Sequence, residues 1–360
     1  MDIMPVLKQM VDEKASDIFV LAGLPLTFVA SGRQNRLDMA PFTPSQTAEF
    51  VSEIYKLAHR DQEIFDKSFN HDDDFSFAIG GVGRFRANIF RQRGSYSAIV
   101  RIIPFGLPDP KDFEIPEEVL RCANYQKGLV LVTGPAGVGK STTLACIIDR
   151  LNHTRHAHVI TMEDPIEFIH KHGTCIVTQR EVPTDVATYA EALRSAMRES
   201  PDIILLGEMR DMETIGTAVT AAEMSQLLFS TLHTTGAAGT VDRIIDAFPP
   251  SQHRQIRIQL SMVLQAIVSQ QLIPTVDGSV TPAFEIMTVN TAIRNLIRES
   301  KTHQIDSIIA AGSSEGMRTM DQSLFNLYKQ GRITREMALQ YSIHTEALEK
   351  RIEADSRREK

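Results

Sequence analysis

From residue 128 onward, short wholly apolar runs alternate with segments of helical period: GLVLVTG, STTLACIIDRLN, HAHVITME, TCIVTQ, a helical stretch over 187–198, DIILLGE and LLFSTLH. Runs without polar alternation suit strands buried on both faces, so the pattern predicts an α/β fold with a parallel sheet covered by helices. Beyond Pro250 the chain reads as helical almost throughout. Residues 1–103 are patterned differently. Two helical patterns, over 6–14 and 43–57, interleave with short alternating runs. In DDFSFAIGGVGRFRANIFRQRGSYSAIVRII, Gly80, Gly81 and Gly94 punctuate three alternations, as turns of an antiparallel meander would. A small α+β unit is expected there. Between the two lies PFGLPDPKDFEIP, where Pro104, Pro108, Pro110 and Pro116 oppose both helix and central strand. The expected organisation is therefore an α+β domain over 1–103, a stiff linker over 104–116 and an α/β domain over 117–360 with a helical C-terminal region.

Length and composition narrow the classes. A chain of 360 residues exceeds what one hydrophobic core serves and suits two domains. Three scattered cysteines, Cys122, Cys146 and Cys175, make neither a disulfide framework nor a four-cysteine zinc site, and a reducing cytoplasm is expected. The start, MDIMPVLKQMVDEKASD, has no signal-peptide core, and no run reaches the roughly 18 apolar residues of a spanning helix. Any membrane role would come through a partner. The formal charge of −7, from 38 basic and 45 acidic residues, argues against a broad basic surface for nucleic acid.

The chemistry concentrates in the second half. Gly134, Pro135, Ala136, Gly137, Val138, Gly139, Lys140 and Ser141, followed by Thr142, fit the Walker A pattern between a buried strand and a helix. Glycines there let backbone N–H groups close around phosphates, and the helix N-terminus adds partial positive charge. Lys140 would meet the β- and γ-phosphates of ATP, and Ser141 would ligate Mg²⁺. Asp202 to Glu208 reads as an apolar strand ending in a carboxylate beside that loop. Glu208 is a candidate for the Mg²⁺ shell or for orienting the attacking water, or else an exposed strand-end acid. MEDPIE follows another buried strand, and Glu163 is the candidate base near the γ-phosphate. His233 ends LLFSTLH, as a γ-phosphate sensor or a packed histidine. Arginines crowd the N-terminal meander at positions 84, 86, 91, 93 and 101. They read as solvated strand residues paired with acids such as Asp72 to Asp74, or as cations delivered to transition-state charge from outside the P-loop domain.

Together GPAGVGKSTTL, MEDPIEF, QREV, ALRSAMRESPDIILLGEMRD and STLHTTGAAGTVDRIIDAFP resemble the secretion and pilus ATPase superfamily over nearly the whole chain. Within it the retraction branch, the PilT-like ATPases, is the nearest match, and Ala292 to Glu299, AIRNLIRE, resembles a segment associated with retraction. The resemblance implies a PAS-like N-terminal domain, a RecA-like ATPase domain and a homohexameric ring. It also implies a cytoplasmic location at the inner face of the membrane, with a pilus platform protein as partner. Lys140 and Ser141 match its Walker A, Glu163 and Glu167 its aspartate box, Glu208 its Walker B and His233 its histidine box. Arg86 and Arg101 resemble its N-domain phosphate contacts.

Related assembly and secretion ATPases usually carry an extra N-terminal domain and a four-cysteine zinc motif. Here about 100 residues precede the connector and no CxxC occurs, which favours retraction. Two histidines of the retraction branch are replaced, by Gln226 in AAEMSQ and by Phe19 in SDIFV. A type II or IV secretion ATPase, a DNA translocase and a nucleotide-binding accessory subunit stand as the rival readings.

Overall fold

The alternating runs near the N-terminus fold as strands around helices α1 (Met4–Asp12) and α2 (Pro44–Leu57). Strands β1 (Ala15–Val20), β2 (Thr27–Ala30), β3 (Arg33–Arg36), β4 (Asp73–Ile79), β5 (Gly83–Gln92) and β6 (Ser95–Ile103) form one antiparallel sheet in the order β3-β2-β1-β6-β5-β4. Phe75 and Phe77 on β4 and Phe85, Ala87 and Ile89 on β5 are buried at every second position, because side chains of a strand alternate between faces. Arg93 and Gly94, at φ 49° and 80°, make the two-residue turn between β5 and β6 that matches strand twist. Helix α2 begins at a capping box, with Thr43 accepting from the Gln46 N–H and Gln46 reaching back, and Pro44 follows in the first turn. Its Phe50, Val51, Ile54 and Tyr55 are fully buried in this unit's core.

The computed structural model describes residues 2–30, 32–60, 72–103 and 106–358. Pro104 of the connector and residues 359–360 lie outside them. The chain divides into two units, Met1–Gly106 with Glu167–Ile169, and Leu107–Ile166 with His170–Lys360.

In the second unit a short α3 (Glu117–Leu120) leads to β7 (Gly128–Thr133), α4 (Lys140–Thr154), β8 (His158–Glu163), β9 (Ile176–Glu181), α5 (Tyr189–Ala196), β10 (Ile203–Leu206), α6 (Met212–Glu223), β11 (Leu227–Leu232), α7 (Ala237–Asp246) and α8 (His253–Val263). Next come β12 (Leu264–Pro274), β13 (Val280–Thr288), α9 (Thr291–Arg298), α10 (Ile305–Ala311), α11 (Met320–Lys329), α12 (Arg335–Gln340) and α13 (Thr345–Arg358). The sheet order is β13-β12-β7-β11-β10-β8-β9, all parallel except the edge strand β13. Both faces are covered, as the unbroken apolar runs require. Leu129 and Leu131 join a core with α5 to α9, while Val130 and Val132 join a second core with α3 and α4.

The expectation of helix beyond Pro250 is corrected by β12 and β13, a hairpin of 11 and 9 residues. An apolar run such as LQAIVSQQLIP carries no period that separates a buried strand from a buried helix. The turn signal Asp277-Gly278 between the two strands, with Gly278 at φ 82°, was the available clue. The AIRNLIRE segment folds into α9, where Arg294 donates to the carbonyls of Ser261 and Met262 at the end of α8, 2.5 and 3.0 Å. A guanidinium is well suited to closing a helix C-terminus in this way.

Candidate functional site

The turn from β7 into α4 is the site's foundation. Gly134, Gly137 and Gly139 have φ of 142°, 79° and 89°, so the loop bends where side chains are disfavoured. At Gly134 the reason is also spatial, since a Cβ would stand 2.2 Å from the Gln270 carbonyl oxygen. Lys140 opens α4, is buried, and donates from Nζ to the carbonyl oxygens of Gly134 and Pro135, both at 2.8 Å. Ser141 and Thr142 occupy the same first turn and are half-buried.

Strand order decides which residues stand next to this loop. Glu208 lies at the carboxyl edge with the loop, but β11 stands between β7 and β10, so His233 is the nearer neighbour and Glu208 comes after. The structure joins the three. Lys140 Nζ is 3.5 Å from His233 Nδ1, His233 Nε2 is 3.1 Å from Glu208 Oε1, and Arg210 Nε donates to Glu208 Oε2 at 2.7 Å. That hydrogen bond to Glu208 is the main reason the Arg210 guanidinium is held in its charged form beyond the ordinary arginine range.

The Glu208 loop is itself fixed. Thr231 Oγ1 donates to the Gly207 carbonyl at 2.6 Å, and the Gly207 N–H donates to the Met162 carbonyl at 2.7 Å. A Cβ on Gly207 would meet the Tyr189 hydroxyl at 2.8 Å. Burial first, and Asp164 next, push the Tyr189 hydroxyl's ionisation well above the usual tyrosine range; Arg210 opposes this and Glu163 and Glu208 add to it. The phenol therefore sits neutral among the carboxylates.

Glu163 ends β8, one strand further out, and accepts from Thr161 Oγ1 at 2.7 Å and Gln179 Nε2 at 3.4 Å. Glu167 falls in the short piece 167–169 grouped with the first unit and is exposed. Arg86 and Arg101 also belong to that unit and face each other across the β5–β6 ladder. Arg86 pairs twice with Asp74, at 2.8 and 2.7 Å, and Arg101 with Asp17 at 3.0 Å.

Sequence reading missed Gln270 on β12. It is buried, donates to the Val138 carbonyl at 2.5 Å and accepts from Thr143 Oγ1 at 2.8 Å, so it braces the loop against the first turn of α4. The detectable signal was three polar residues, Ser269, Gln270 and Gln271, inside an apolar run. A cleft of about 320 Å³ opens beside this brace, lined by Gly137, Val138, Gly139, Thr142, Gln270 and connector residues 112–115. Glu114 there is gripped by both ends of the Arg332 guanidinium at 2.6 Å, which holds its carboxyl below the usual range.

A parallel sheet bearing this loop, with a histidine and carboxylates at the neighbouring strand ends, defines a P-loop nucleotide-binding α/β protein. The chain belongs to the type II/IV secretion system protein family, which it matches over residues 1–354. It is 45% identical over 338 residues to the type IV pilus retraction ATPase PilT of Pseudomonas aeruginosa, covering 94% of this chain and 97% of that one. A twitching motility protein of Neisseria gonorrhoeae is 45% identical over 85% of this chain and 82% of its own. Among solved structures, the pilus retraction motor PilT with bound ADP superposes with a TM-score of 0.89 at 44% identity, covering 97% of this chain and 99% of that one.

Proposed function

We propose that this chain is an ATP-hydrolysing motor that powers retraction of a type IV pilus. The observation that carries the proposal is the Lys140–His233–Glu208 run at the carboxyl edge of the sheet, beside a P-loop. It is supported by relatives of near full-length coverage that are named for pilus retraction and twitching motility.

In this reading the loop from Gly134 to Gly139 wraps the phosphates of ATP, and Lys140 turns its ammonium to the β- and γ-phosphates. The donors at hand are hard oxygens, the Ser141 hydroxyl and the Glu208 carboxylate, which suit Mg²⁺. Ser141 directly, and Glu208 through water, would hold that ion, whose charge offsets the phosphate oxygens. Glu163 accepts the proton of the attacking water, and His233, donating from Nε2 to Glu208, reports the terminal phosphate. Arg86 and Arg101 come to the nucleotide from an N-terminal domain, exchanging their acidic partners for phosphate. Six copies form the ring, and hydrolysis moves each N-terminal domain against its ATPase domain to work a platform protein at the inner face of the cytoplasmic membrane. No helix among the described residues is long and apolar enough to cross a membrane, so that attachment runs through the partner.

The test is a count of surface pili in a strain lacking this chain, beside a strain carrying Glu208→Ala. Excess pili that do not retract are expected in both. A bald surface would assign the chain to assembly, and unchanged pili would direct the search to secretion or DNA.

A further inference from the structure

The loop that follows His233 is tied down from the far side of the P-loop strand. Ser269 on β12 and Glu285 on β13 are direct partners in their ladder, so both side chains share one face of the sheet. Ser269 Oγ accepts from the Gly236 N–H at 3.0 Å, and Glu285 Oε1 accepts from the Ala237 N–H at 2.6 Å. These are the residues at which α7 begins, three and four positions after His233. The second oxygen of Glu285 accepts from the Met320 N–H at 3.2 Å, where α11 begins. One carboxylate, 2% exposed, thus closes the N-termini of two helices. From α11 the contacts continue outward. Asp321 accepts from the Ile343 and His344 N–H groups, and His344 Nε2 lies 3.1 Å from Asp306 on α10.

A buried carboxylate carries a desolvation cost, but methionine or leucine in its place would leave the Ala237 and Met320 N–H groups without an acceptor. Its two oxygens hold the starts of two helices at a fixed spacing, which an apolar side chain does not. We propose that Glu285 is a positioning residue for the phosphate end of the site, fixing the His233 loop to the start of α11 so that displacement of either is passed to the other. The inference rests on the proposed role of His233 at the terminal phosphate. Ser269 assists by holding Gly236, and its neighbour Gln270, pointing to the opposite face, braces the P-loop, so β12 registers both loops against each other.

The test uses the full-length assembled protein and steady-state ATP hydrolysis, with ADP affinity measured separately. Glu285→Gln keeps the shape but turns an amide N–H₂ toward one of the two backbone donors. The expected result is a kcat lower on the order of 10- to 100-fold, as a misplaced catalytic group costs, with KM and the ADP Kd within about 2-fold. Ser269→Ala should move kcat in the same direction by a smaller factor, and it carries the test if Glu285→Gln does not fold. His233→Ala completes the set. If it lowers kcat and Glu285→Gln adds nothing further in the double variant, the positioning role stands. Losses that multiply, or a Glu285→Gln or Ser269→Ala protein with normal kcat, overturn it. A His233→Ala protein with normal kcat would instead overturn the role given to His233 and leave Glu285 nothing to position.

Discussion

His233 and Glu208 are 3.1 Å apart, Nε2 to Oε1, and the contact orients the imidazole. Its other nitrogen faces Lys140 Nζ, an ammonium that only donates, so Nδ1 must present a lone pair and Nε2 must carry the hydrogen. The ring thus bridges the P-loop lysine and the Glu208 carboxylate, whose second oxygen is taken by Arg210. Groups that act as one unit fail together. His233→Ala and Glu208→Gln are each expected to lower kcat for ATP by about 100-fold or more, and the double variant to be no worse than the worse single. Coupled-assay kinetics on the three proteins decide the point, and independent, multiplying losses would mean that the 3.1 Å contact has no part in turnover.

Gln270 carries the second expectation. Its side-chain amide satisfies two buried groups at once, the Val138 carbonyl and the Thr143 hydroxyl. Gln270→Leu conserves most of the volume but leaves both unpaired, at a cost of roughly 1–3 kcal/mol for each. The loss should appear twice, as a lower Tm and as an ADP affinity weaker by about 10-fold or more, because the loop loses its brace. Thr143→Val, which removes the donor to Gln270 and spares the Val138 contact, should give a smaller change in both. An unchanged ADP Kd in Gln270→Leu would show that the loop keeps its shape without support from β12.

The contrast between Lys140 and Gln270 shows what the sequence can disclose. The Walker A residues declare themselves because their chemistry is local: a buried strand, three glycines at positive φ and a helix start lie within twelve residues of one another. Glu208 and His233 were readable as strand ends for the same reason. Their order was not, since nothing in DIILLG or LLFSTL says that β11 inserts between β7 and β10. Gln270 is 132 residues from the carbonyl it serves, and Glu285 is 48 and 35 residues from the two amides it holds. Pairings at that separation follow from tertiary packing, and a lone Gln or Glu in an apolar run announces only that some partner exists. The histidine replaced by Gln226 is likewise clarified by topology. Gln226 precedes the first residue of β11 while His233 follows the last, so the two mark opposite edges of the sheet and the replacement leaves the nucleotide edge intact.

Glu285 gives the third expectation, in the dependence of stability on pH. Burial raises its ionisation from 4.5 to about 7, with Asp306 and Asp321 adding to the shift and the Ala237 and Met320 N–H groups opposing it. His344, paired with Asp306, is the histidine lining the same small cavity. A carboxyl whose folded value lies above its unfolded one binds more protons in the native state across that interval, so stability falls as pH rises through it. The contribution is complete below about 4.5 and gone above about 7. Glu285→Gln cannot ionise and lacks this slope, whereas titrating groups that do not couple to Glu285 are common to both proteins and cancel in the difference. Wild type should therefore lose roughly 2–3 kcal/mol relative to Glu285→Gln between pH 5 and pH 8, seen as a shrinking or reversing Tm difference. A Tm difference that stays flat across this range would show that the Glu285 carboxyl ionises at its ordinary pH. The two amide hydrogen bonds would then have matched the cost of burying it.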